Sequence, residues 1–232
     1  MKVIGLTGGI ASGKSTLSRM IFRRRIPIID ADLLAKKVVE PGKPAYNLII
    51  NHFSRDVLNE DGTLDREKLG NIIFANENQR KILNKCTHPF IRREAFKLLV
   101  WYWITGEKMV VLDIPLLIES GLQKWMSSVV VIYVSERLQV SRLIKRDNLL
   151  EHVAIQRISA QMPLGEKVKY ADYVIDNSGD LSETEKQLNI VIAKLYPTVW
   201  SWFITWIGPP ALVALGITVA IKNKMLMMGW YL

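Results

Sequence analysis

The feature that most restricts this chain is Gly8-Gly9-Ile10-Ala11-Ser12-Gly13-Lys14-Ser15, set between the short apolar run Val3 to Leu6 and a helical pattern at Leu17, Met20 and Ile21. Strand, glycine-rich turn and helix in direct succession fit G-x-x-x-x-G-K-[ST] in the context that gives the spacing a physical meaning. Glycines let the backbone curl until successive N–H groups and the helix N-terminus face one point, which suits a phosphate. Lys14 is then placed to neutralise β and γ oxygens, and Ser15 offers a hydroxyl to Mg2+.

The rest of the chain fits that opening. A second strand, Ile26 to Ile29, ends at Asp30-Ala31-Asp32 and is followed by a helical stretch through Val38. This βαβα order predicts a parallel sheet with helices on both faces. Between residues 42 and 106, turn signals such as Asp61-Gly62 separate amphipathic helical stretches, which reads as a mostly helical insertion. Strand character returns at Met109 to Leu112 and at Val129 to Val134, the latter running into a helix from Glu136 to Arg146. A basic helical region up to Lys169, a last strand at Tyr173 to Ile175 and a closing helix from Leu181 to Leu195 complete the pattern. At 232 residues the length suits one compact domain. The expected fold is an α/β P-loop kinase over 1–197. Its core is 1–41 and 107–197, with the insertion at about 42–106 and an arginine-bearing lid at about 142–170.

Asp30 and Asp32 fall at the carboxyl end of the second strand, the rim where open α/β sheets bind ligands. Asp32 is the expected base and metal partner, and Asp30 the expected cap or support of the next helix. Arg142, Arg146 and Arg157 read either as a solvated basic face or as guanidiniums that clamp phosphates. Arg23, Arg24 and Arg25 end the first helix, where cations meet the helix dipole favourably. His88-Pro89 reads as a helix break with a surface histidine.

A net charge of +9 admits nucleic acid, anionic membrane or a polyanionic small substrate. A nucleic-acid partner is not expected, because no basic stripe interleaved with aromatics is present. The single cysteine, Cys86, cannot form an internal disulfide and reads as a small core residue in a reducing compartment. No presequence pattern opens the chain.

From Thr198 to Ile221, 24 residues pass without a charge. At ~1.5 Å per helical residue that length crosses a hydrocarbon core of ~30 Å. Trp200, Trp202 and Trp206, with Lys194, Lys222 and Lys224 outside the run, fit an interfacial girdle. Pro209-Pro210 speaks against a straight span. A kinked span, a hairpin in one leaflet and an apolar helix packed on the domain all fit, ahead of a short tail at 222–232.

The stretch from Gly5 to Thr16 with Ile28-Ile29-Asp30-Ala31-Asp32 closely resembles the dephospho-CoA kinases. Val39-Glu40-Pro41-Gly42, Asp61 to Arg66, Leu83-Asn84 with His88-Pro89, Asp113 to Glu119, Arg157 to Gln161 and Ala171 to Asn177 continue the likeness in order, over roughly residues 1–196. The resemblance implies transfer of the γ-phosphate of ATP to the ribose 3′-hydroxyl of dephospho-CoA. It implies that Gly8, Gly9, Ile10, Ala11, Ser12, Gly13, Lys14, Ser15 and Thr16 hold the nucleotide, and that Asn177 lies near the adenine. Lys14, Asp32 and the lid residue Arg142 are the implied catalytic groups, Ser15 and Asp32 the implied Mg2+ ligands. His88 and Arg92 fall, with Asp32, in the implied acceptor region. Ala11, Arg25 and Ser54 stand where that family usually has glycine. The apolar tail resembles the animal members, which suggests a membrane-anchored enzyme facing the cytosol from mitochondria or endoplasmic reticulum.

Other readings lead elsewhere. A nucleoside monophosphate kinase shares sheet, loop and arginine lid. A GTPase fails because Asp176-Asn177-Ser178-Gly179 comes too late for D-x-x-G and no N-K-x-D exists. An inactive tethered scaffold sits poorly with intact Lys14, Ser15 and Asp32.

Overall fold

The computed structural model describes residues 1–208. Five parallel strands form one sheet in the order β2-β3-β1-β4-β5: β1 (Lys2–Gly8), β2 (Ile28–Asp30), β3 (Met109–Asp113), β4 (Ser128–Tyr133) and β5 (Tyr173–Asp176). β1 lies at the centre, paired with β3 on one side and β4 on the other. The glycine turn that follows β1 therefore opens in the middle of the carboxyl rim.

Side chains alternate between the two faces, and both faces are covered, as a parallel sheet requires. Met109 and Val111 of β3, with Val130 and Ile132 of β4, pack against α1 (Lys14–Arg23) and α9 (Leu181–Leu195) through Leu17, Ile21, Leu188 and Val191. The alternate β3 residues, Val110 and Leu112, face Leu34 of α2 (Ala31–Val38) and Leu98, Leu99 and Tyr102 of α5 (Glu77–Ile104). Val129 and Val131 of β4 meet Leu117, Ile118 and Val168 of α8 (Leu164–Val168).

Between α2 and β3 the chain forms α3 (Pro44–Phe53), α4 (Arg66–Ala75) and the 28-residue α5. This part has its own core of Tyr46, Ile49, Val57, Leu64, Leu69 and Cys86. Cys86 is buried and unpaired with another cysteine. Asp65 and Asn76 cap α4 and α5 by accepting from the second and third N–H groups. The expected break at His88-Pro89 is absent, because Pro89 lies inside α5. The helix is packed along both halves, Ile82, Leu83 and Cys86 into the insertion core and Ile91, Ala95 and Leu98 onto the sheet. Those contacts outweigh one missing N–H donor.

Ala11, Arg25 and Ser54, the three positions where glycine is usual in the resembling family, all have positive φ, at 59°, 59° and 65°. An L-residue there costs about 1–2 kcal/mol relative to ordinary backbone. After α6 (Glu136–Asp147) and α7 (Glu151–Ser159), Asn148 is a fourth such residue, closing α6 at φ 51°.

The charge-free C-terminal run is described only in part. Val199–Gly208 is helical and is labelled α10; it leaves α9 at a bend of 57°. Among the described residues no single helix is long and apolar enough to cross a membrane. The remainder of 198–221, including Pro209-Pro210, and the tail with Lys222 and Lys224 lie outside the described residues.

Candidate active site

The loop from Gly8 to Gly13 leads into α1 with Gly13 as N-cap, at φ 91°. No side chain caps this helix, and no acidic residue stands in its first turn. The N-terminal N–H groups and the positive end of the dipole are thus left for an anion. Gly13 has a second reason to be glycine: a Cβ would lie 2.1 Å from Asn177 Nδ2.

That contact belongs to a set of braces the sequence pattern does not announce. Asn177, buried after β5, donates from Nδ2 to the Ser12 carbonyl at 2.8 Å and accepts from Thr184 Oγ1 at 3.0 Å. Gln139 of α6 donates to the Ile10 carbonyl at 2.8 Å, and Gln161 accepts from the Ile10 N–H at 3.1 Å. Thr7 Oγ1 donates to the Pro115 carbonyl at 2.9 Å. Lys167, fully buried on α8, donates to the same carbonyl at 3.1 Å and pairs with Glu119 at 2.8 Å.

Lys14 forms an ion pair with Asp113, the last residue of β3, whose other carboxylate oxygen accepts from Ser18. Asp113 is 2% exposed. It was not singled out as a site residue above, although its signal is visible: four apolar residues, Met109 to Leu112, ending in an aspartate at the carboxyl end of a strand. P-loop NTPases place a metal-binding aspartate in such a position.

Asp30 and Asp32 separate as a turn would separate them. Asp30 caps α2, accepting from Asp32 N–H at 2.8 Å and Leu33 N–H at 3.1 Å. Asp32 stands at the exposed rim. Partial burial pushes its carboxyl above the ordinary aspartate range; Lys14 opposes this, and Asp30 and Asp113 add to it. Asp32 therefore shares one electrostatic field with Lys14 and Asp113.

Arg142 on α6 donates to the Asn177 carbonyl at 2.9 Å, which brings it to the loop's brace. Arg146 and Arg157 instead both hold Asp147 on the surface, at 2.7 and 3.3 Å. A cleft of about 860 Å3 lies between α6 and α7, with Gln139, Ile144, Ile155 and Gln161 among its lining residues. His88 and Arg92 occupy adjacent turns of α5, both exposed. Burial, and then the nearby Arg92 cation, lower the His88 pKa. Neither makes a hydrogen bond or ion pair with the loop residues among the described residues.

For Mg2+ the available donors are the Ser15 hydroxyl and the carboxylates of Asp32 and Asp113, all oxygen, as a hard cation prefers. Among the described residues no group of three acidic, histidine or cysteine side chains forms a ready-made cage. That pattern fits an ion that keeps waters and is held largely by substrate phosphates.

Residues 2–183 match the model of the dephospho-CoA kinase family. The chain belongs to the dephospho-CoA kinase family. It is 52% identical to the dephospho-CoA kinase of Bacillus cereus over 192 residues, covering 83% of this chain and 96% of that one. It is 46% identical to a dephospho-CoA kinase domain-containing protein of Danio rerio over 217 residues, 93% of this chain and 95% of the fish protein. The solved dephospho-CoA kinase of Campylobacter jejuni superposes with a TM-score of 0.64 at 30% identity, over 84% of this chain and 96% of that one. A crystal structure from Thermus thermophilus superposes at 0.73, also with 30% identity, over 84% and 98%.

Proposed function

We propose that this protein transfers the γ-phosphate of ATP to the ribose 3′-hydroxyl of dephospho-CoA, giving CoA and ADP. One observation carries the reading. In a member of this family, an uncapped helix N-terminus, a lysine placed by a buried aspartate and a rim carboxyl of raised pKa meet at the centre of the carboxyl edge.

In this mechanism the loop N–H groups receive the triphosphate and Lys14 neutralises its β and γ oxygens. Asp32 orients the attacking hydroxyl and accepts its proton late. The transition state of phosphoryl transfer is loose, so alignment and charge neutralisation outweigh the base. Mg2+, held by Ser15 with Asp32 or Asp113, supplies further charge neutralisation when bound. Arg142 serves the phosphates from the lid side. Asn177 braces the loop at the nucleotide end of the site, where the adenine is expected. His88 and Arg92 serve the acceptor, which as a polyanion suits an arginine beside a neutral imidazole.

In the same reading, residues 198–221 anchor the enzyme in a membrane with the kinase domain in the cytosol. The charge-free run supports this, as does the fish relative, whose match to 93% of the chain takes in part of that run.

The test is ATP consumption by the full-length protein with dephospho-CoA, beside AMP, CMP and adenosine, using Lys14→Ala as blank. Turnover dependent on dephospho-CoA and lost in the blank is expected. Turnover with AMP or CMP instead would assign a nucleoside monophosphate kinase, and none with any acceptor would point to a scaffold.

A further inference from the structure

The end of the sheet opposite the nucleotide loop is built from parts that the chemistry does not use. Because all five strands are parallel, every strand begins at this end, and α1, α5 and α9 finish there. α10 lies across it. The Met1 amino group donates to Thr205 Oγ1 at 2.9 Å, Trp206 Nε1 to the Trp103 carbonyl at 2.8 Å, and Trp103 Nε1 to the Thr205 carbonyl at 3.3 Å. Trp202 and Trp206 stack at 5.3 Å, over the Gly106 turn. The Lys108 ammonium sits 5.7 Å from the Trp202 ring and 5.9 Å from that of Tyr196.

With that face docked, α10 turns the opposite stripe outward. Trp200, Phe203, Ile204 and Ile207 follow the i, i+3, i+4, i+7 spacing of one helical face, and all four are exposed, Trp200 at 79% and Ile204 at 65%. At the same end stand Trp101 and Ile104 in the last turn of α5, and Trp125 just before β4, 81% exposed. Exposed cations stand beside them. Arg23 ends α1 and Arg25 lies just after it, and neither has an ion-pair partner among the described residues, whereas Arg24 between them pairs with Glu185 at 2.7 Å. Lys194 is exposed in the last turn of α9, and Lys124 adjoins Trp125. Glu107 is the acidic residue of the Gly106 turn, next to Lys108.

An apolar helix face flanked by tryptophans and cations has the composition of a surface that rests on an anionic bilayer. What covers it is indicated by the sequence, because α10 falls in the first part of the charge-free run, and no charged residue follows Gly208 until after Ile221. We propose that the amino end of the sheet is a lipid-docking face. In this arrangement α10 lies along the interface, Trp125, Arg23 and Arg25 touch headgroups, and the catalytic rim points into water. β1 has seven residues, so at ~3.3 Å per residue the loop stands on the order of 20 Å above the headgroups. This inference rests on the membrane association proposed above, and goes further in assigning a side and an orientation.

The test uses the full-length protein with an environment-sensitive fluorophore on Trp125→Cys or, at the opposite end beside Asp32, on Leu33→Cys. The unsubstituted chain, with only the buried Cys86, is the labelling blank. Vesicles are phosphatidylcholine with about 30% phosphatidylserine, with a nitroxide-bearing lipid as quencher. Co-sedimentation reports the anchor, and quenching reports the docking face. Both proteins should sediment, with quenching at 125 and none at 33, and Arg23→Glu/Arg25→Glu should abolish quenching at 125 without releasing the chain. Sedimentation with an unquenched 125 label, or with equal quenching at both positions, would overturn the docking face and leave the anchor standing. A chain that stays in the supernatant would overturn both.

Discussion

The glycine loop is held by side chains 129, 151 and 165 residues away in sequence, from Gln139, Gln161 and Asn177. The helical part up to Pro89, which carries His88, is held by neighbours within its own stretch, around Tyr46, Ile49, Leu69 and Cys86, while Arg92 lies on the half of α5 that packs on the sheet. The phosphate side is thus built before ATP arrives, by bonds that close the whole chain onto one turn. His88 and Arg92, given to the acceptor in the proposed mechanism, are exposed and make no hydrogen bond or ion pair with the loop among the described residues. Preorganisation is concentrated where charge is to be neutralised, which is where electrostatic stabilisation returns the most rate.

This contrast can be broken, and the largest effect should come from the phosphate side. Lys14→Ala should lower kcat by about 10³-fold or more, measured by coupled ADP release, while the melting profile stays cooperative. Asp32→Asn should cost about 10²–10⁴-fold in kcat, and it should also raise Tm at neutral pH. Since burial raises the carboxyl's pKa in the folded state, the folded protein favours the protonated form, and stability is lost as pH rises through that pKa. The amide removes this penalty, so its advantage in Tm should fade as pH falls through the ordinary aspartate range. In the unsubstituted enzyme, the acid limb of kcat/KM should lie above that range, because the base is lost when Asp32 protonates. A limb at the ordinary aspartate value would remove Asp32 from proton transfer.

Asn177→Ala should cost about 1–3 kcal/mol, because it removes the side-chain donor to the Ser12 carbonyl and leaves the Thr184 hydroxyl only its longer bond to the Asp180 carbonyl, at 3.2 Å. It should raise the KM for ATP more than that for the acceptor; equal changes would dissolve the distinction between the two sides. The smallest effect belongs to the helical part. Ser54 sits at φ 65°, ψ 178°, a region almost confined to glycine. Ser54→Gly should relieve that strain, less the entropy glycine adds to the unfolded chain, for a net gain of about 1 kcal/mol. Differential scanning calorimetry should show a Tm rise of about 2–4 °C with kcat unchanged.

Where function depends on local order, the sequence was readable. Strand, glycine turn, lysine and helix are contiguous, and Asp30 and Asp32 follow the next strand directly. Asp113 was available in the same way, as an aspartate closing an apolar run. Strand boundaries moved by one or two residues, as at β2, expected over Ile26 to Ile29 and found at Ile28–Asp30, because ladder pairing with β3 rather than apolarity decides where a strand begins. The braces were out of reach. Asn177 meets Ser12 and Lys167 meets Pro115 only because the sheet order places β4 beside β1 and β5 beside β4, and no spacing in the chain encodes that. Pro89 misled for the opposite reason: a strong local signal was overridden by packing on both sides of it.

That proline lies at a seam. Residues before it in α5 belong to the small core of the helical part, and residues after it belong to the sheet. One helix is therefore shared between two bodies, with a missing amide proton at the junction. Hydrogen exchange should find two protection domains within α5 rather than one, meeting near residue 89. His88 and Arg92 stand on either side of that boundary, so a small rotation of one body against the other would change the distance between them. In the proposed mechanism, the two residues given to the acceptor are thus carried by different bodies.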